Sequence, residues 1–153
     1  KLTLRDSMLS KNEAKRLVMP SIRGGLLGTF VGVLPGAGAT AASIMSYSAQ
    51  KYFKSEEPLG TGAVEGIAAC ESANNGAAAG AFAPLLALGI PGSGTGAVLL
   101  GGLMLWGLNP GPLLFKNSPD FAWGLIASLF LANFIALTVS WGCLFYTSDV
   151  ADD

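Results

Sequence analysis

Three long stretches of the chain carry no charged residue: residues 24–50, 72–115 and 121–148. A helix that crosses a lipid bilayer needs roughly 20 predominantly apolar residues. The first and third stretches are therefore long enough for one crossing each. The middle stretch is long enough for two crossings, or for a crossing and a re-entrant arm. This pattern predicts an all-α, polytopic membrane protein.

Two proline-glycine breaks fall inside the charge-free stretches, GVLPGAGAT at residues 32–40 and LGIPGSGTG at residues 88–96. Backbone that leaves the helix at membrane depth is tolerated only where it is buried in protein or lines a cavity. Paired interruptions of this kind indicate the binding site of a transporter. We therefore expect discontinuous or re-entrant helices whose tips meet near mid-membrane, with a simple kink as the alternative interpretation of each break.

The remaining elements follow from the positions of glycine, proline and charge. Residues 1–20 form a polar, amphipathic connector that we expect to end at Pro20. Glycine then recurs every four residues, which on a helix makes a smooth groove for close packing of a second helix: Gly24, Gly28, Gly32 and Gly36. Helix is predicted over residues 41–53, 63–91, 97–108 and 121–146, with a polar loop at 54–62 and a turn at 117–120. The last of these is the cleanest span, with three aromatic residues placed as interfacial anchors: Trp123, Trp141 and Tyr146.

Composition excludes several classes of function. Hydrophobic residues make up 51% of the chain and charged residues only 12%, about half the usual share of a soluble domain. A net charge of −1 argues against a nucleic-acid partner. The sequence has no His, so catalysis by His and metal ligation by His are excluded. Cys70 and Cys143 match neither a metal-binding nor a disulfide pattern.

Charge placement divides the chain into three regions. Residues 1–23 are a basic connector, and a basic flank of the first span predicts that this end is cytoplasmic. Residues 24–148 form the transmembrane region and residues 149–153 a polar tail. Because the chain starts with Lys1 and ends just after the last span, we expect it to be a fragment of a larger permease.

The candidate substrate-binding residues lie at the two breaks. A helix that starts inside the membrane presents free backbone N–H groups and the positive end of its dipole to an anion. These residues are Pro35, Gly36, Gly38, Thr40 and Ser43 at the first break, and Pro91, Gly92, Ser93 and Thr95 at the second. No Lys or Arg occurs within residues 24–50 or 72–115, so a bound anion needs N–H groups, hydroxyls, amides and a co-bound cation.

A polar group in the middle of the chain adds candidate ligands. Asn74 and Asn75 are costly inside a bilayer without partners. Glu71 lies three and four residues before them and therefore on the same face of a helix. The amides could bind carboxylate oxygens or ligate Na⁺, with Glu71 or Glu65 carrying ion coupling. The alternative is that these groups only form hydrogen bonds between helices.

One pattern suggests a different class of protein. Gly36-x-Gly38-x-x-Ala41 approaches the dinucleotide-binding fingerprint, and Glu56 lies twenty residues after Gly36. A soluble dinucleotide-binding enzyme is therefore kept as a distant alternative, although Pro35 stands where the preceding strand should end.

Four segments in order resemble the large membrane subunit of the tripartite tricarboxylate transporters, the TctA family. They are GVLPGAGATAASIMSYSAQKYF, LGTGAVEGIAACESANNGAAAG, LLALGIPGSGTGAVLLG and GLNPGPLLF. The family's glycine-proline motifs correspond to residues 35–38 and 91–93, and its E-S-A-N-N stretch to residues 71–75. The chain departs from the usual family residues at Gln50, Leu59, Cys70 and Gly94.

The resemblance implies a permease subunit of a secondary transporter in the bacterial inner membrane, and not an enzyme. It implies two partners, a small four-span membrane subunit and a periplasmic solute-binding protein that delivers citrate or another carboxylate. It also implies cation-coupled uptake, with Na⁺ as a possible coupling ion and no other cofactor. The alternative is a structural or assembly subunit that does not transport, in which the glycine groove only packs helices.

Overall fold

The computed structural model describes the backbone of residues 10–151 and the side chains of residues 10–143. Within that range the protein is all-helical and contains no strand. The helices are α1 (Lys11–Val33), α2 (Gly38–Gln50), α3 (Val64–Gly80), α4 (Phe82–Leu88), α5 (Gly94–Leu105), α6 (Leu114–Asn117) and α7 (Pro119–Ala151). Because no strand precedes Gly36, the dinucleotide-binding alternative has no structural support in the described residues. Predictions that concern residues 1–9, the Tyr146 side chain and residues 152–153 lie outside the described residues.

Helix α1 begins with a capping box. Ser10 Oγ accepts a hydrogen bond from the Glu13 backbone N–H at 3.2 Å, and Glu13 Oε2 accepts one from the Ser10 N–H at 2.8 Å. Two of the N–H groups that a helix start leaves free are thereby satisfied. The helix then continues through the buried Pro20, so the expectation that the first element ends there is wrong. Proline removes one backbone hydrogen bond, and the long packed face that follows it keeps the helix intact.

The first predicted break is present. Helix α1 ends at Val33 and α2 begins at Gly38, three residues earlier than the sequence predicts. Between them Gly36 has a φ of +79°, and Gly38 has a φ of +73°, values that favour glycine. Gly36 is therefore in the turn. The prediction that it continues the glycine groove of α1 is wrong.

Helices α1 and α3 pack with their backbones almost in contact. A Cβ added to Gly24, Gly28 or Gly32 would overlap the carbonyl oxygen of an alanine on α3, Ala69, Ala73 or Ala77 respectively. In the other direction, a Cβ on Gly76 or Gly80 would lie 2.5 Å from a carbonyl oxygen of α1. We call this contact the glycine-alanine seam. It matches the four-residue spacing of small residues that brings membrane helices close together.

Helix α2 packs against both α1 and α3. Ser46 Oγ donates a hydrogen bond to the Ala69 carbonyl at 2.8 Å, and both groups are buried. The buried cluster between α1, α2 and α3 consists mostly of small side chains: Val31, Ala42, Ala73 and Ala77. Small residues at the contact surfaces explain how three helices pack here without large core side chains.

The second half of the chain is built from shorter elements. Helix α3 ends at Gly80 and α4 begins at Phe82, so the predicted helix over residues 63–91 is divided at Ala81. Gly89 ends α4 with a φ of +70°, and its N–H bonds the Leu85 carbonyl at 3.0 Å. A second buried cluster joins α4 to α5, α6 and α7: Leu86, Leu103, Leu114 and Ala122.

Helix α7 is the one helix, among the described residues, that is long and apolar enough to cross a membrane. Within its apolar part, Pro119–Cys143, an 18-residue stretch has a mean hydropathy of 1.9. The helix starts two residues before the predicted span and runs to Ala151. Only 6% of that 18-residue stretch is buried against the rest of the protein, and Trp123 and Trp141 are both exposed.

Candidate functional site

The two breaks border the same cavity, which has a volume of about 280 Å³. Gly38 and Ala39 line it from the start of α2, and Gly92, Ser93 and Thr95 line it from the segment that starts α5. A Cβ on Gly92 would lie 3.3 Å from the Gly32 carbonyl oxygen, so the second break packs against the end of α1. The structure therefore brings two segments together that are more than fifty residues apart in sequence.

The wall between the two breaks is apolar. It is formed by α3, α4 and α5 through Ala77, Ala78, Ala81, Phe82, Leu85 and Leu99. No charged side chain of the described residues lines the cavity. Its polar groups are hydroxyls and backbone amides, so nothing in this part of the chain balances the charge of a bound anion. An anion here must therefore arrive with a cation or acquire one from elsewhere.

Ser93 has a defined local role at the second break. Its backbone is extended, with a φ of −153°, and its Oγ accepts a hydrogen bond from the Gly96 N–H at 3.1 Å. It is therefore the N-cap of α5, as is typical of serine at this position. Thr95 follows in the first turn, and its side chain is exposed.

The other predicted residues of the breaks are not among those that line the cavity. Pro35, Gly36 and Thr40 are exposed at the first break, and Pro91 is partly buried beside Gly92. Ser43 Oγ donates a hydrogen bond to the Cys70 carbonyl at 3.1 Å and so joins α2 to α3. For Ser43 the structure thus shows a packing contact between helices.

Asn74, Asn75 and Glu71 share the exposed side of α3, away from the seam. Asn75 Nδ2 donates a hydrogen bond to the Glu71 backbone carbonyl at 3.0 Å. Asn74 lies one helical turn, about 6 Å along the axis, before the cavity-lining Ala78. The amides are therefore placed below the cavity on the same helix, and their side chains do not line it.

Glu65 lies at the opposite end of α3 from the cavity. Its side chain is only 5% exposed, and Oε1 accepts hydrogen bonds from Arg16 Nη2 at 2.8 Å and from Arg16 Nε at 3.0 Å. Arg16 Nη1 also contacts Glu56 Oε2 at 2.5 Å. The hydrogen bond to Glu65 raises the pKa of Arg16, so the guanidinium stays charged. Glu65 is thus held in an ion pair between α1 and α3.

Sequence reasoning missed the apolar wall of the cavity. Phe82 and Leu85 lie before the second break and Leu99 lies after it, in apolar segments that the sequence predicts only to be helix. The division at Ala81 falls inside a segment that is predicted to be one continuous helix. The glycine spacing predicts only helix packing for Gly32, although Gly32 also lines the cavity. Its position one helical turn before Gly36 is the signal in the sequence that places it beside the first break.

The described residues are all-helical, and one of the helices is long and apolar enough to cross a membrane, which is consistent with a helical membrane protein. The chain belongs to the tripartite tricarboxylate transporter TctA family, whose sequence pattern matches residues 1–151. This is a family of transporters and not of enzymes, and its tripartite make-up implies partner subunits. The resemblance seen in the sequence is thereby confirmed.

Two curated relatives come from Agrobacterium vitis. One is described as an uncharacterized 52.8 kDa protein in the TAR-I ttuC' 3' region, and it is 45% identical over 133 residues, or 86% of this chain. The other is described as an uncharacterized protein in the TAR-II ttuC' 3' region, and it is 43% identical over 114 residues, or 74% of this chain. The matched part spans 26% of the first relative and 47% of the second. No solved structure matches the chain.

Proposed function

We propose that this chain is part of the large permease subunit of a secondary transporter that takes up citrate-like tricarboxylates or related carboxylates. The observation that carries the proposal is that both helix breaks border one cavity of about 280 Å³. In a family of tricarboxylate transporters, unwound backbone beside a cavity is where a carboxylate would be held. The discontinuous helices are then the two halves of a re-entrant, multi-pass architecture.

In this proposal the carboxylates are bound by backbone N–H groups near Gly38 and Gly92 and by the hydroxyls of Ser93 and Thr95. Binding to N–H groups at a helix start is favoured by the helix dipole. Asn74 and Asn75 do not line the cavity, so in this proposal their amides bind the substrate or the co-bound cation outside it, beside Glu71. Pro35, Gly36 and Pro91 fix the shape of the breaks. Thr40 lies in the first turn of α2, and Ser43 joins α2 to α3.

The proposal includes cation coupling because the described residues that line the cavity carry no charge. Because the described lining has no cationic side chain, a co-bound Na⁺ or proton would balance the substrate charge. Glu71 is the better placed of the two predicted coupling residues, since it is exposed on the side of α3 that carries the amides. Glu65 is neutralised by Arg16, which opposes a coupling role.

The full transporter would contain a small four-span membrane subunit and a periplasmic solute-binding protein in addition to this permease. We place it in the bacterial inner membrane, with residues 1–23 cytoplasmic.

The test is uptake of labelled di- and tricarboxylates by cells that express the complete transporter, with and without a Na⁺ gradient. We expect gradient-dependent accumulation of one carboxylate and loss of uptake in Ser93→Ala and Asn75→Ala. Ser128→Ala is the matched control, because Ser128 Oγ bonds a carbonyl of its own helix, that of Leu125, at 2.7 Å. Normal uptake by Ser93→Ala would refute the assignment of the cavity, and normal uptake by Asn75→Ala would refute the role of the amides.

A structural or assembly subunit is the second candidate, and the glycine-alanine seam favours it. In that case Ser93→Ala and Asn75→Ala are silent, while Gly28→Leu prevents assembly of the complex. Quantifying the complex in membranes beside the uptake measurement distinguishes the two candidates, since only the transporter proposal predicts normal assembly without uptake.

A further inference from the structure

A second cavity, of about 320 Å³, lies between α1 and the loop that joins α2 to α3. Its lining includes three cationic side chains, Arg16, Arg23 and Lys54, and two carboxylates, Glu56 and Glu65. It is separate from the cavity at the helix breaks, because the two share no lining residue.

The cations of this cavity are not all neutralised. Arg16 binds both carboxylates, Glu56 at 2.5 Å and Glu65 at 2.8 Å. Arg23 and Lys54 form no ion pair with any residue that the structure describes. With three cations against two carboxylates, the lining has an excess of positive charge.

One hydrogen-bond donor of the Arg23 guanidinium has no acceptor among the described residues. Its Nη2 donates to Gln50 Oε1 at 3.2 Å, and its guanidinium carbon lies 3.6 Å from the centroid of the Phe53 ring. Its Nε is buried and has no hydrogen-bond partner among the residues that the structure describes. A buried donor without an acceptor costs free energy, and arginine binds phosphate oxygens through several donors at once. The side chain is therefore suited to a phosphate group in the cavity.

Arg23 also lies on the same face of α1 as a row of apolar side chains. Met19, Leu26 and Phe30 lie four, three and seven residues from it, so they share its face of the helix. All three are exposed, Leu26 by 69% and Phe30 by 72%, and Met19 also lines the cavity. No charged residue follows Arg23 until Lys51, so this face passes from a charged end directly into a charge-free stretch.

We propose that the cavity binds the phosphate headgroup of an anionic phospholipid, whose acyl chain lies along the exposed face of α1. The charge of the headgroup complements Arg23 and Lys54, Met19 contacts the headgroup end in the cavity, and the chain covers Leu26 and Phe30. Basic pockets between helices at the cytoplasmic surface of a membrane bind anionic headgroups in this way. The proposal does not depend on the carboxylate site.

The test is native mass spectrometry of the full chain released from nanodiscs of phosphatidylglycerol or of phosphatidylcholine. We expect retained phosphatidylglycerol and little retained phosphatidylcholine. Lys54→Gln should weaken retention about fivefold, the usual effect of one cation near a membrane surface. Arg23→Gln should weaken it further, while Arg23→Lys retains part of the binding.

Lys11→Gln is the control, since Lys11 lies about 18 Å from Arg23 along α1, beyond the screening length in salt. Equal retention of the two lipids, or equal loss in Lys11→Gln and Lys54→Gln, would overturn the proposal. A third arm adds inorganic phosphate alone to the detergent-solubilised chain. Protection of the fold by free phosphate to the same degree as by phosphatidylglycerol would also overturn it, because the acyl chain would then contribute nothing.

Discussion

Replacement of Gly28 by alanine tests the glycine-alanine seam. The added Cβ would lie 2.6 Å from Ala73 Cα and 2.7 Å from its carbonyl carbon. Carbon atoms in contact prefer a separation of about 3.5–4.0 Å, so the helices must move apart by about 1 Å. Both obstructing atoms belong to the backbone, which cannot rotate away as a side chain can.

The cost of such overpacking is about 1–3 kcal/mol, and alanine returns about 1 kcal/mol through its better helix propensity. We therefore expect Gly28→Ala to lower the free energy of unfolding by up to about 2 kcal/mol. Gly25 is the matched control on the same helix, because a Cβ there has no atom within 4 Å. Gly25→Ala should be neutral or stabilising by up to about 1 kcal/mol.

The assay is equilibrium unfolding of the detergent-solubilised chain in increasing sodium dodecyl sulfate, followed by far-ultraviolet circular dichroism. The decisive quantity is the difference in midpoint between the two variants. If Gly28→Ala unfolds at the same or a higher denaturant fraction than Gly25→Ala, the backbone contact between α1 and α3 is not as described.

Three further substitutions probe other contacts, each by the same unfolding assay. Ser93→Ala removes the acceptor for the Gly96 N–H and should cost about 1 kcal/mol, whereas Ser93→Asn, which keeps an acceptor, should restore most of it. Arg16→Ala leaves the buried carboxylate of Glu65 without its partner and should destabilise more than Arg16→Lys does; equal midpoints would contradict the ion pair. Gly89→Ala forces a side chain into a φ of +70° and should cost about 1 kcal/mol or more, and an unchanged midpoint would show that this cap is not needed.

Features with a local cause could be predicted from the sequence. The first break follows from Pro35 and Gly36, because proline and glycine act on their own backbone. The seam follows from a four-residue glycine spacing, which is a property of one helix. The long apolar helix at the end of the chain follows from hydropathy alone.

Features that depend on distant partners could not be predicted. Pro20 reads as a helix end, yet packing of the following face keeps α1 continuous. Glu65 is a candidate for ion coupling in the sequence, whereas the structure pairs it with Arg16, which is 49 residues away. The division at Ala81 lies between Gly80 and Pro84, but glycine and proline also occur inside the continuous helix α1, so these residues alone do not predict that the helix divides here.

The seam also limits how the protein can change shape. Side chains that interdigitate can exchange rotamers and let one helix slide, but α1 and α3 meet along three glycine-alanine contacts with no side chain between them. Rotation of either helix would bring a larger residue into a gap that holds none. We therefore expect α1 and α3 to move as one rigid unit in any conformational change, with displacement confined to the short elements from α4 onward.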